Sequence, residues 1–135
     1  MKRLGAAVLL LSVLLCFAGC SGKVDMETLK GDWTASKLNG MTIAEFAQEH
    51  GYTEDMVAVN VTVTDVQYIT TNVNTTGTYY TVPTDKGFDV LYQGTTQVMM
   101  SVVYNSFSDT LNYKVEGNGR SYEYELVRGT YDFNG

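Results

Sequence analysis

From residue 57 to residue 126 the apolar side chains return at every second position, and no other feature restricts the fold so much. Val57, Val59, Val61 and Val63 alternate with Ala58, Asn60, Thr62 and Thr64. A side-chain period of two belongs to a half-buried strand, because successive Cβ atoms leave opposite faces of the pleat. The same rhythm runs through Val66, Tyr68 and Thr70, then Thr78, Tyr80 and Val82, then Phe88, Val90 and Tyr92. It resumes in Leu111, Tyr113 and Val115 and closes in Tyr122, Tyr124 and Leu126. Residues 97–104, QVMMSVVY, are apolar on both parities and predict a strand covered on both sides. Turn residues punctuate the series. Pro83-Thr84-Asp85-Lys86-Gly87 is one turn, and Asn118-Gly119 is the strongest hairpin signal in the chain. The expectation is an all-β domain: an antiparallel meander of about eight strands at a spacing of roughly ten residues, closed as a barrel or stacked as a sandwich.

The segment before the meander differs. In residues 29–40, Trp33, Ala35 and Lys37 share one parity, and Asn39-Gly40 marks a turn, so a strand is predicted there. In residues 41–52, Thr42 stands three places before Glu45 as in a capping box, and Ile43, Phe46 and Ala47 form one apolar stripe. A helix of two to three turns ending at Gly51 follows from this spacing, and it is the one short helix expected. No cluster of Gly and Pro suggests a linker, so one domain is expected over residues 30–130.

The amino terminus reads as an address. Lys2 and Arg3 form a basic head, and an apolar run extends from Leu4 to Phe17. That run is short for a bilayer span, which takes roughly 20 residues, and suits the central region of a signal peptide. Phe17-Ala18-Gly19-Cys20 follows, and it resembles a bacterial lipobox. The resemblance implies a diacylglyceryl group on the Cys20 thiol and cleavage that removes residues 1–19, including Cys16. Residues 20–29 would then be lipid anchor and tether. Acyl chains contribute about 0.8 kcal/mol per buried CH₂, so two or three palmitate-sized chains hold firmly. The implied product is a lipoprotein bound to the membrane through Cys20, on the extracytoplasmic face of a bacterial cell envelope.

The order of features in residues 29–128 resembles a lipocalin-like domain. Gly31-Asp32-Trp33 matches the opening Gly-x-Trp strand, a short helix and a meander follow, and Leu126-Val127-Arg128 ends the last strand. The resemblance implies a β-barrel in which Gly31, Trp33 and Arg128 close one end. A guanidinium over an indole face is a cation–π contact, which gives that arrangement a physical basis.

Charge and residue inventory narrow the function. Losing Lys2 and Arg3 takes the formal charge from −6 to −8. Such a surface is a poor match to nucleic acid. His50 is the only histidine, so a Ser–His–Asp or Cys–His machine is not supported, and no catalytic residue, metal ligand or cofactor site is expected. His50 sits where an imidazole favours a helix C-terminus, and Glu45 with Glu49 reads as a solvated face. Asn60-Val61-Thr62 and Asn74-Thr75-Thr76 match the glycosylation sequon, which a bacterial lipoprotein leaves idle.

The tyrosines carry what remains. Tyr68, Tyr80, Tyr92, Tyr113, Tyr122 and Tyr124 fall on the apolar parity of their strands, as does Tyr104. Either their rings fill the core, or they line a cup for one small molecule, with Met99 and Met100 beside them. The cup makes the protein an anchored binder of a small apolar or amphipathic ligand. A filled core makes it a protein-interaction module, an inhibitor or envelope scaffold. Cys20→Ser is expected to abolish acylation and leave an uncut precursor, so labelled palmitate incorporated normally into that variant removes the anchor.

Overall fold

The computed structural model describes residues 24–64, 67–72 and 75–133, and Cys16, Cys20, Val66, Val73 and Asn74 lie outside them. The chain opens with a one-turn helix, α1 (Met26–Leu29), then strand β1 (Gly31–Leu38) and a two-residue strand β2 (Met41–Thr42). Helices α2 (Ile43–His50) and α3 (Glu54–Val57) come next. The meander follows as β3 (Asn60–Val63), β4 (Gln67–Thr71), β5 (Thr76–Pro83) and β6 (Gly87–Leu91). It finishes with β7 (Val98–Asn105), β8 (Thr110–Gly117) and β9 (Arg120–Arg128). Each strand from β3 onward pairs antiparallel with the next, β1 pairs with both β3 and β9, and an eight-stranded barrel closes. Of barrel and sandwich, the barrel is therefore the architecture, and β2 is a flap on the edge of β1.

Local chemistry explains most of the elements. Thr42 accepts from the Glu45 N–H at 3.1 Å while the Glu45 carboxylate accepts from the Thr42 N–H at 3.1 Å. This reciprocal cap starts α2 at Ile43, and Ile43, Phe46 and Ala47 bury its apolar stripe. Asn118 and Gly119 both have positive φ, 52° and 75°, as a tight hairpin with the right-handed twist of its strands requires. At Gly87 the reason is space: a Cβ there would lie 2.1 Å from the carbonyl oxygen of Val102 on the neighbouring strand.

Several expectations are corrected. Among the described residues there are three short helices, where one was expected. Val57 belongs to α3, whose C-cap is Ala58, and the strand begins only at Asn60, so four alternating valines do not make one strand. Val57 is still buried, because a single helical turn delivers it to the same core. Residues 24–29 are not a free tether. The Val24 N–H donates to the Thr84 carbonyl at 2.7 Å, Asp25 caps α1, and Leu29 is fully buried. In β1 a bulge between Ala35 and Lys37 shifts the register, so Leu38 enters the core and Lys37 stays outside, opposite Glu125. A bulge reverses parity beyond it, which no count of alternating residues shows. In β7, Val98 and Val103 are exposed on the outer face, so that strand is covered on one side only.

The core occupies the barrel interior. Trp33, Phe88, Val90, Leu111 and Leu126 are fully buried, with Val61, Val63, Tyr68 and Val102 almost so. One barrel end is sealed. The Arg128 guanidinium carbon lies 3.9 Å from the centre of the Trp33 ring. Its Nη1 and Nη2 donate to the carbonyls of Lys30 (2.8 Å) and Thr28 (2.6 Å), and Nε donates to Asp109 at 3.3 Å. Trp33 Nε1 donates to the Leu29 carbonyl at 2.9 Å. Tyr104 packs edge-on to Trp33 and donates to Asp109 at 2.9 Å. Gly31, with φ 122°, turns the chain between α1 and this seal in a conformation open to glycine.

Replacing Trp33 with Ala empties the centre of this seal and is expected to cost about 3–5 kcal/mol, the range for a buried aromatic. Gly87→Ala forces β6 off β7 and is expected to lower the unfolding midpoint strongly. Denaturant titration followed by circular dichroism checks both, and an unchanged midpoint contradicts the packing described.

Candidate functional site

Opposite the seal the barrel stays open. The strand registers set this direction. Val63 pairs with Gly31 at the seal and with Tyr68 on its other side, and Tyr68 pairs with Tyr79. Pro83 pairs with Phe88 and Tyr104 with Leu111 at the sealed end. The turns at the far end belong to α3, the β4–β5 connection, the β6–β7 connection and the β8–β9 hairpin. Between them lies a cup of about 210 Å³. Tyr68, Tyr79, Tyr113, Tyr122 and Tyr124 line it with Val59, Val115, Met99 and Met100. It shares Val59, Tyr122 and Tyr124 with a wider groove of about 410 Å³ that runs under Phe46, Tyr52 and Met56. Tyr52, Met56 and Val115 are exposed around this mouth.

Four of the six tyrosines expected to line a cavity do so: Tyr68, Tyr113, Tyr122 and Tyr124. Tyr80 and Tyr92 do not, being 56% and 45% exposed on the outside. In β5 the inward parity is that of Tyr79 and Thr81, so the expectation was off by one residue. The segment Thr78-Tyr79-Tyr80-Thr81-Val82 alternates small and large on neither parity, and adjacent tyrosines fit both faces. The cross-strand pairing settles it: Tyr79 stands opposite buried Tyr68, and Thr81 opposite buried Val90. Tyr79 is the lining residue that sequence reading missed. Gly77, two places before it, carried a signal, since its lack of a side chain leaves room for the Tyr79 ring. Tyr104 serves the seal and not the cup. Tyr92 lies just past the end of β6, where the inward row has stopped.

The rings interlock. Tyr113 and Tyr124 stack at 5.0 Å with planes 18° apart. Tyr68 meets Tyr113 edge-on at 6.5 Å and 90°, and is tilted against Phe88 at 6.0 Å. Both geometries suit the aromatic quadrupole. Tyr68 forms the floor, and its side chain is almost wholly buried. The Tyr113 hydroxyl is near enough to bear on the ionisation of Tyr68, yet it is not placed to bond, and the Tyr68 hydroxyl has no hydrogen-bond partner among the described residues. Thr81 Oγ1 is likewise unpartnered and buried, outside the cup lining. Burial pushes the Tyr68 phenol well above its usual range, and the nearby Tyr113, Tyr124 and Tyr79 phenols push the same way. Burial also raises Tyr113 and Tyr124; on Tyr113 the Tyr68 hydroxyl works the other way and Tyr124 adds a smaller upward push, and on Tyr124 the smaller upward push comes from Tyr122. These three phenols are therefore neutral throughout the physiological range.

The remaining polar candidates hold structural posts. His50 Nδ1 lies 3.0 Å from the Phe46 carbonyl, and its ring stacks on Phe46 at 4.1 Å and on Tyr52 at 6.2 Å. Glu45 is occupied by the helix cap, whose Thr42 N–H and hydroxyl hold its carboxyl below the usual range. The Asn60 side chain donates to the Tyr131 carbonyl at 2.7 Å and accepts from its N–H at 2.8 Å, pinning the carboxy-terminal tail. Among the described residues no group of three His, Cys, Asp or Glu side chains is placed to hold a metal ion, and no helix is long and apolar enough to cross a membrane.

The wall of the cup is interrupted on one side. The β7–β8 ladder is three pairs long, Val103–Asn112 through Asn105–Thr110, and the strands then part. An outer groove of about 510 Å³ lies over this seam, lined by Ser101, Asn112, Lys114, Glu123 and Glu125 among others. Comparison of the chain with family models, with curated proteins and with solved structures finds no match.

The raised tyrosines have a sign in the pH dependence of stability. Above about pH 10 the unfolded chain releases phenolic protons that the folded chain keeps on Tyr68, Tyr113 and Tyr124. The stability tied to those protons is complete below that pH and is lost as pH rises through the folded values. Near-ultraviolet phenolate absorbance is expected to show a late-titrating group of tyrosines that appears together with unfolding. Tyr68→Phe and Tyr113→Phe each shrink that group, and a single early step for all phenols contradicts the burial.

Proposed function

We propose that the protein is a membrane-anchored lipoprotein of the bacterial envelope whose barrel, lipocalin-like in its Gly-x-Trp seal, binds one small apolar or amphipathic molecule. The observation that carries this reading is the cup itself: an uncharged, tyrosine-lined hollow of about 210 Å³ in an otherwise packed barrel. Sites for small molecules are concave and mostly apolar, with a few polar groups that fix orientation. The exposed Tyr52, Met56 and Val115 at the mouth supply an apolar approach. No arrangement of nucleophile and base accompanies the cup among the described residues, and the reading is one of binding without chemistry.

The anchor and the cup are related in space. Val24, the first described residue, lies at the sealed end, where it bonds to Thr84. If Cys20 carries the acyl chains, the few residues from it to Val24 reach about 14 Å when extended. The sealed end then sits on the membrane and the mouth faces away from it. Such a cup exchanges its ligand with the aqueous side or with another protein.

The seam between β7 and β8 favours a second reading. Residues 98–102 and 113–117 face each other without a ladder, and such edges accept an extended segment from a partner protein. In that reading the amides of both stretches that point into the seam, and not those bonded to β6 or β9, exchange rapidly in the free protein and become protected on adding the partner.

Native mass spectrometry of the protein isolated from envelopes is expected to show an adduct of a few hundred daltons or less. Val115→Trp places an indole across the mouth from a half-exposed strand position, and tryptophan is well tolerated in strands. That variant is expected to fold normally and to lose the adduct. An adduct retained by a folded Val115→Trp protein places the molecule elsewhere and overturns the reading.

A further inference from the structure

We infer that the cup takes a flat, uncharged molecule of one or two rings whose acceptor oxygen meets the hydroxyl of Tyr68. The inference rests on the binding reading above and specifies the chemistry of what is bound. Three observations carry it.

Size comes first. A cavity of about 150 Å³ in a protein core holds benzene, so about 210 Å³ holds one or two fused rings and not a long acyl chain. Shape is second. The cup is walled by the stacked Tyr113–Tyr124 pair and floored by Tyr68 standing perpendicular to Tyr113. Ring faces and edges at these angles accept another planar ring in an offset or edge-on arrangement.

Charge and hydrogen bonding are third. Among the described residues that line the cup, none is charged, so an anion entering it leaves water without meeting a cation. The Tyr68 hydroxyl is buried with no hydrogen-bond partner among the described residues, and Tyr68 lines the cup beside Tyr79, Tyr113 and Tyr124. A buried donor left unpaired is costly, and an acceptor oxygen on the ligand satisfies it. A carbonyl or ether oxygen does this without bringing a charge or a second unpaired donor.

The test uses the full chain in lipid nanodiscs, with empty nanodiscs as the blank, and three probes of matched size. Coumarin is neutral and carries an acceptor carbonyl, naphthalene has no acceptor, and 1-naphthoate is an anion. Calorimetry is expected to give coumarin about tenfold tighter binding than naphthalene, the ratio set by one net hydrogen bond, with 1-naphthoate weakest. Tyr68→Phe keeps the ring and removes only the hydroxyl, and the coumarin preference is expected to vanish while naphthalene binding stays. Should that variant misfold, the ranking of the three probes on the unaltered chain still decides. Coumarin and naphthalene binding equally, both blocked by Val115→Trp, overturns the Tyr68 assignment and leaves the cup as a binding site. Preference for 1-naphthoate overturns the neutral-ligand claim. Failure of all three probes to bind overturns this inference and the binding reading together.

Discussion

The meeting of Arg128 with Trp33 holds together parts of the chain that are farthest apart in sequence. A strand that begins the barrel and a strand that ends it must pair to remove both edges, and β1–β9 is that pairing. The loop it closes spans nearly the whole domain, so its entropic cost is the largest of any contact in the fold. Ladder bonds between β1 and β9 offset part of that cost. The guanidinium adds a cation–π contact worth about 0.5–2 kcal/mol and two bonds to the carbonyls of Thr28 and Lys30. Those carbonyls lie at the end of α1, where helix geometry leaves them without internal partners. One side chain thus fastens the last strand, the first strand and α1. Asp109 ties the β7–β8 turn to the same point, with its carboxyl held below the usual range first by the Tyr104 hydroxyl and then by Arg128.

Sealing one end decides where a cavity is able to form. Trp33, Tyr104, Phe88, Leu111 and Leu126 fill the interior near the seal. Towards the other end the inward row passes to Val59, Val115, Met99 and Tyr122, which leave space. Eight strands enclose an interior only just wide enough for side chains. A modest change in side-chain size along the axis is therefore sufficient to turn a filled core into a cup. The short β7–β8 ladder works in the same direction, because strands that part after three pairs cannot draw the wall tight.

Period-two alternation made most of the barrel legible, and its failures have physical causes. Where a strand alternates clearly, as in Leu111, Tyr113 and Val115, both the strand and its inward face were readable. Where it does not, as in Tyr79-Tyr80, the face depends on cross-strand neighbours, and register is a property of pairs of strands. The bulge after Ala35 is similar: it depends on how β1 serves both β2 and β9. The seal was readable because Trp33 and Arg128 are unusual residues at the two ends of the domain. The one-turn helices α1 and α3 were not, since four residues show no period. Met26 and Leu29 mark α1 only after burial is known.

The Tyr68 hydroxyl sets the cup apart from an ordinary packing defect. A void left by imperfect packing is lined by whatever apolar groups surround it, and phenylalanine at position 68 would fill the same floor at no polar cost. The buried phenol instead carries a penalty of order 1–3 kcal/mol when unpaired, in a barrel small enough for that to be a substantial share of its net stability. A core selected for stability alone has no use for that group. Local rules broken without compensation in the folded chain are characteristic of functional sites. On the binding reading proposed above, the Tyr68 donor, the ring walls and the lack of charge belong to one site, and a molecule that brings its own acceptor supplies the missing compensation.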